Sequence, residues 1–447
     1  ISACLVGSEM CIRDRFIAMK NCIFYFLMLA LLFLVGSCKD SDDNKSTGAT
    51  YDPNQPVTVE SFMPAGGKLR EKVIVKGSNF GTDKSKVKVY FVDGTAERQS
   101  TVINVDDETI YCLAPRQLPG GNHIKVVVED KEVITDATFE YEQAQNVSTI
   151  AGSQNVRKSE DGTLAEASFE YTWGIGAVGN NTVLVFQRDN PRVRLVSVDD
   201  NKVTTIHPGF KAGKPAVTKD RQKVYAAGWE GGHTIYMYTK GTGWAPTRIG
   251  QLGTQYAGKV LSVALDTSEE WLYFVDANKK FARFNVTTQE IEDIATLDIS
   301  GSLHSNGVYL VYHPLYDCFF MSNQLTYSVY RLEKDGTCEV FAGSSTQARV
   351  QDGYREEAYF AQPNGMAIDE DGNFFIVEGF KAYVLRKISV EDGYVSTVAG
   401  MVNVASQIDG TPLEATFNYP YDICYDGEGG FWIAEGWGQA VRKYAVE

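Results

Sequence analysis

A chain of 447 residues is long for one ordinary domain and suits two or three. Hydrophobic residues make up 44 % and charged residues 22 %, a globular balance rather than a disordered one, while 41 glycines and 12 % aromatics favour short strands joined by turns. The net charge of −15 argues against nucleic acid, because phosphate contacts need a basic face.

Residues 1–18 do not start with Met and carry no helical or strand period, so they read as a non-native leader and Met19 as the better start. Lys20 and the apolar run 22–35 then have the layout of a signal peptide over 19–37, since a membrane span needs about 20 apolar residues. The run ends Val35-Gly36-Ser37-Cys38, with small residues before a cysteine. It resembles a lipobox, which makes Cys38 the expected lipidation site and the lipid the only membrane contact. Lys39-Asp40-Ser41-Asp42-Asp43 resembles the acidic export signal of Bacteroidota surface lipoproteins and implies an outer-membrane protein facing outward. A plain solvated tether is the other reading, and 38–55 as a whole is polar enough for a flexible tether. Cys4, Cys11, Cys22 and Cys38 lie in or before this region. Cys112, Cys318, Cys338 and Cys424 have no paired spacing and are expected to be small buried hydrophobes.

Alternating runs at 72–76, 87–92, 109–113, 124–128 and 137–141 predict a small β-sandwich over 56–143. Pro64-Ala-Gly66-Gly67, Val73-Ile-Val-Lys-Gly77-Ser-Asn79-Phe80-Gly81 and Ile110-Tyr-Cys112-Leu-Ala-Pro115 resemble the turns of an IPT/TIG domain. The resemblance implies an immunoglobulin-like spacer. Gly77 and Gly81 are expected to take positive φ around the Asn79 turn, with Phe80 plugging the end of the sandwich.

Beyond 147 a repeat dominates. Ala151, Asp161 and Phe169 recur as Ala342, Asp352 and Phe360, and again as Ala399, Asp409 and Phe417. The spacing is ten and then eight residues in every copy. Two copies continue alike, through Pro363-Asn-Gly to Glu378 and Pro420-Tyr-Asp to Glu435, and close on Arg386-Lys387 and Arg442-Lys443. These features resemble the NHL repeat and imply an all-β chain: an N-terminal TIG sandwich followed by a six-bladed NHL-type β-propeller over 147–447. Second strands are expected at 224–227, 271–275 and 318–322, and third strands at 235–238, 281–285 and 329–333. The chain stops after a third strand, and 147–151 has the sequence of a fourth, compare 395–399. It is expected to pair with the C-terminal strand and close the ring.

In such blades the loops entered at Gly152, Gly343 and Gly400 share one face with the turns that hold Trp229, Phe380 and Trp437. Exposed aromatics beside Asp189, Asn190, Glu378, Lys381, Glu435 and Gln439 are what a sugar-binding platform needs. The candidate ligand residues are therefore Trp229, Phe380, Trp437, Asn190, Glu378 and Glu435. In the competing reading the acids cap turns and the aromatics pack between blades. Related propellers hold zinc on histidines or calcium on carboxylates. Here His207, His233 and His304 fall in separate loops, and Asn306, Asn364 and Asp422 are the weak candidates for a channel metal; no cofactor is expected. The function implied is non-catalytic binding of polysaccharide or oligosaccharide for an outer-membrane uptake complex. The alternatives are a protein-binding NHL scaffold and a metal-dependent propeller lyase or lactonase.

Overall fold

The computed structural model describes residues 49–446 except 95, 118, 180, 230–231, 257 and 345–346; the expected leader, signal peptide and Cys38 lie outside them. The chain is all-β. Its first domain is a sandwich of two sheets. One orders Thr58–Met63, Lys72–Ser78, Thr109–Leu113 and Thr101–Asp106 side by side. The other orders Gly66–Gly67, Lys131–Tyr141, Gly120–Val128, Val87–Val92 and Glu97–Gln99. Alternate residues point inward, so Val73, Val75, Val89, Phe91, Val126 and Phe139 meet in one core.

Phe80 is buried in that core, as expected. Asn79 holds the turn at φ 62°, its amide clasping Asp52 and the Gln55 carbonyl at 2.8–3.0 Å. The expectation for Gly77 needs correcting. Only Gly81 has positive φ; at Gly77 an added Cβ would lie 1.9 Å from the Thr58 carbonyl oxygen, so close strand approach requires glycine there.

Residues 145–446 form six further antiparallel sheets of four or five strands, whose first three strands follow one another in chain order outward. The first strands are Thr172–Ala177, Ala216–Val217, Ala264–Leu265, Tyr309–His313, Pro363–Ile368 and Pro420–Tyr425. Each touches the next and the last touches the first, a propeller-like ring. The ring is tight at its axis. An added Cβ on Gly174 would meet the Gly213 carbonyl oxygen at 1.9 Å. The last sheet takes its outer strand from the front of the domain: Gln145–Gly152 pairs antiparallel with Ala440–Val446, Val147 opposite Tyr444.

The repeated residues stitch each long loop to the edge of its own sheet. Asp161, Asp352 and Asp409 each accept both the backbone N–H and the hydroxyl of an outer-strand threonine, Thr205, Thr397 or Thr149, at 2.8–3.1 Å. Each also pairs with a third-strand arginine, Arg194, Arg386 or Arg442, at 2.8–3.1 Å. The guanidinium lies 4.9–5.5 Å from the centroid of Phe169, Phe360 or Phe417. Four groups must meet at once, so the spacing cannot drift. The loops thereby cover three sheet edges that would otherwise be open to pairing.

The sandwich rests against the opposite face, where turns join first to second strands. Arg70 pairs with Glu428, and Arg116 with Glu370 at 2.9 Å.

Candidate functional site

On the loop face the chain gathers aromatic side chains from neighbouring sheets. Phe380 and Trp437 stand in turns between second and third strands and are 47 % and 44 % exposed. Tyr419 joins them, its ring 6.0 Å from each. Trp437 continues to Tyr171 at 5.7 Å, and Tyr171 to Tyr421 at 5.1 Å, where the two hydroxyls also share a hydrogen bond. Tyr383 packs against Tyr419 at 5.1 Å from beneath. Offset and edge-on contacts at these distances suit ring quadrupoles and hold the platform rigid. Burial raises the pKa of Tyr171, Tyr419 and Tyr421, so their hydroxyls stay protonated at neutral pH. Tyr171, Tyr383 and Tyr419 sit at positive φ, between 52° and 58°, and Asn190, Lys381 and Gln439 in the adjoining turns at 47°, 66° and 53°. Backbone held in a sparsely populated region by its surroundings is a common feature of binding sites.

Cations border the rings. The Arg188 guanidinium lies 3.4 Å above the Tyr171 ring centroid and 5.9 Å from that of Trp173, while Arg157 is 5.7 Å from Trp437. Asp189 accepts from Arg188 at 2.9 Å, which together with the Arg188 charge holds its carboxyl below the ordinary range despite partial burial.

At the axis Trp173, Trp229, Leu261 and Tyr309 bury one another, with Tyr421 packed against them. Residues from five sheets thus close the channel beneath the platform. Trp229 corrects the expectation of an exposed ring: it is 6 % exposed and its indole N–H donates to the Asn306 carbonyl at 2.9 Å. Below this plug an apolar cavity of about 330 Å³, lined by residues such as Ile175, Val217, Leu265 and Met366, occupies the other end of the channel.

Glu378 and Glu435 are also corrected. Both are fully buried and cannot reach a ligand. Glu378 pairs with Arg386 at 2.6 Å and accepts from the N–H of Ala361 and Gln362. Glu435 pairs with Arg442 at 2.9 Å and accepts from Gln407 and the Asn418 N–H. Burial pushes the Glu435 carboxyl up to about 7 although Arg442 pulls it down. Gln187 takes this place in the first sheet, bonded to Arg194 at 2.9 Å. Asn190 is exposed on the loop face, where its carbonyl accepts from Arg192 at 2.5 Å.

The weak metal candidates are otherwise committed. Asp422 binds the Lys214 ammonium at 2.9 Å and the Ile175 N–H at 2.9 Å, so a cationic side chain already sits where a calcium ion would. The Asn364 amide donates to the Pro420 carbonyl at 2.8 Å and accepts from Gln324. Asn306 contributes a carbonyl to Trp229 instead. His233 bonds two backbone carbonyls, and His207 lies in the strand Lys202–Pro208 rather than in a loop, held by the Tyr238 hydroxyl. Among the described residues no group of three His, Cys, Asp or Glu is placed to hold a metal ion.

Sequence reading missed Tyr171, Tyr383, Tyr419 and Tyr421 and the cations around them. A signal existed: two residues after the repeated phenylalanine, Phe169 and Phe417 are both followed by tyrosine, whereas Phe360 is followed by Gln362.

Comparison with known proteins fits this architecture. A crystal structure of a structural genomics protein of unknown function from Bacteroides thetaiotaomicron is 72 % identical, covers 89 % of this chain and 100 % of its own, and superposes with a TM-score of 0.80. The chain belongs to that protein's family. The IPT/TIG domain model matches residues 56–141. An auxiliary nutrient binding protein from the same organism shares the fold at 21 % identity and a TM-score of 0.59, over 89 % of this chain and 99 % of its own. NHL repeat-containing protein 2 from Homo sapiens is 22 % identical over 70 % of this chain. The chain spans 36 % of the length of that curated relative.

Proposed function

We propose that this chain is a non-catalytic saccharide-binding protein: a closed six-bladed propeller that reads polysaccharide on its loop face, with the TIG domain as spacer. In this reading Cys38 carries the lipid, the protein faces outward from the outer membrane, and the glycan passes to an uptake complex. The observation that carries the proposal is the pair of half-exposed rings, Phe380 and Trp437, at the surface of a continuous aromatic ladder. Pyranose C–H groups stack on such rings, while hydroxyls find partners in Arg157, Asp189 and Asn190. A binding role also agrees with the name of the Bacteroides auxiliary nutrient binding protein, whose fold this chain shares.

Affinity electrophoresis against a panel of polysaccharides tests it. Wild type is retarded by at least one glycan, and the double variant Phe380→Ala, Trp437→Ala migrates as if none were present. Failure of every glycan to retard the wild type overturns the proposal.

A further inference from the structure

Phe380 and Trp437 occupy the same place in neighbouring sheets. Each stands two residues beyond the glutamate that closes a second strand, in Glu378-Gly379-Phe380 and Glu435-Gly436-Trp437. The backbone of both turns is packed from beneath. An added Cβ on Gly379 would lie 2.6 Å from the side chains of Gln362 and Asn364, and one on Gly436 would lie 2.6 Å from the Tyr421 ring. Gln362 also accepts the Phe380 N–H at 2.5 Å, and Trp437 sits edge-on against Tyr171 at 5.7 Å. The two rings are therefore held in place before a ligand arrives, which spares the cost of ordering them on binding.

Their planes are not parallel. Tyr419 stands between them, its plane 26° from that of Phe380 and 57° from that of Trp437, so the two exposed rings are tilted by no less than the difference, about 31°. Each is 6.0 Å from Tyr419, which makes them near neighbours. The tilt has a cause in the fold, because equivalent turns of successive sheets in a ring are rotated about its axis. A pyranose gains most from an aromatic ring when its face lies flush on it. Cellulose and β-mannan chains, joined through equatorial bonds on opposite sides of each sugar, are flat ribbons whose sugar faces stay parallel. Such a ribbon can lie flush on Phe380 or on Trp437, and lifts off the other. Amylose and laminarin chains turn at every linkage and can meet both. From this we infer that the saccharide is a curved chain of that kind, one pyranose on Phe380 and a second of the same chain on Trp437. The inference rests on the reading of this face as a saccharide site and narrows its substrate class.

The test is isothermal titration with hexasaccharides that share a sugar and differ in linkage. Maltohexaose and laminarihexaose are set against cellohexaose, and the hexasaccharide of α-mannan against that of β-mannan. Phe380→Ala and Trp437→Ala are titrated singly beside the wild type. The expected result is binding of a curved member, with its flat counterpart about tenfold weaker or absent, because the flat chain keeps one stacking contact and loses the other. Each single variant, with unchanged thermal stability, loses about tenfold for the curved chain. Equal or tighter binding of a flat hexasaccharide overturns the inference and leaves the saccharide reading standing. Loss in one variant with the other indifferent does the same, since the chain then does not span the two rings. Binding of none in the set by a protein that a wider glycan panel does retain also overturns the curved-chain assignment. No binding to any glycan removes both.

Discussion

Arg442 and Glu435 face each other with no solvent exposure on either side chain. The arginine also donates to the Thr416 and Ile408 carbonyls at 3.1 Å and to Asp409 at 3.0 Å, tying the loop entered at Gly400 to the sheet. Replacing Arg442 by Met leaves a buried carboxylate without its counter-charge, a change that costs about 3–5 kcal/mol. For a domain of this size each kcal/mol moves the midpoint by roughly 2–4 °C, so thermal unfolding should come about 10 °C earlier. Replacing both partners, Arg442→Met with Glu435→Leu, removes the stranded charge and should recover much of that loss. Asp409 contacts the same arginine but is about half exposed, so Asp409→Ala should cost less, about 1–2 kcal/mol, because water replaces the lost carboxylate. Urea titration of the wild type, Arg442→Met, Glu435→Leu and the double variant gives a double-mutant cycle. A single Arg442→Met variant that loses under 1 kcal/mol, or a double variant no better than the sum of the singles, would refute the argument that burial makes this pair matter.

A chain beginning at residue 153 lacks the strand Gln145–Gly152 and should aggregate, whereas one beginning at residue 143 should stay monomeric by light scattering. Burial lowers the pKa of His207, His304 and His313, and their ring signals should titrate below about 6.5 in NMR spectra. Because the folded values are depressed, these residues favour the fold at neutral pH, and that contribution is lost as pH falls below the unfolded value. Burial pushes Cys112 up to about 11 and Cys424 up to about 12, so in a chain beginning at residue 39 a thiol reagent at pH 8 should label them only after denaturant is added.

What the sequence disclosed best was what local spacing encodes. The Asp–Arg–Thr–Phe contact demands fixed separations, so three loops were readable as a repeat, and the likeness of 147–151 to 395–399 pointed to the partner of Ala440–Val446. Strand edges followed from apolar runs: 271–275 was expected and Trp271–Val275 is found. Thr101–Asp106 was missed because only Val105 of the strand is buried, and Ala216–Val217 and Ala264–Leu265 are too short to show a period. The site was less legible, for a physical reason. Whether a turn aromatic is exposed depends on how much room the ring leaves at its axis, which no local pattern records. Trp229 and Trp437 occupy equivalent turns, yet Trp229 falls into the axial cluster and Trp437 stays outside it. Likewise an acid closing a second strand looks available until the third-strand arginine beside it is seen.

The central claim is that the loop face receives the ligand, and the Trp437 indole is its most direct reporter. Trp244 and Trp271 lie toward the opposite face, in a turn between third and fourth strands and at the start of a second strand. When a retained oligosaccharide is titrated into ¹⁵N-labelled protein, the Trp437 indole cross-peak should shift to saturation while those of Trp244 and Trp271 hold still. A saturable shift at Trp244 or Trp271 with Trp437 unmoved would contradict the account.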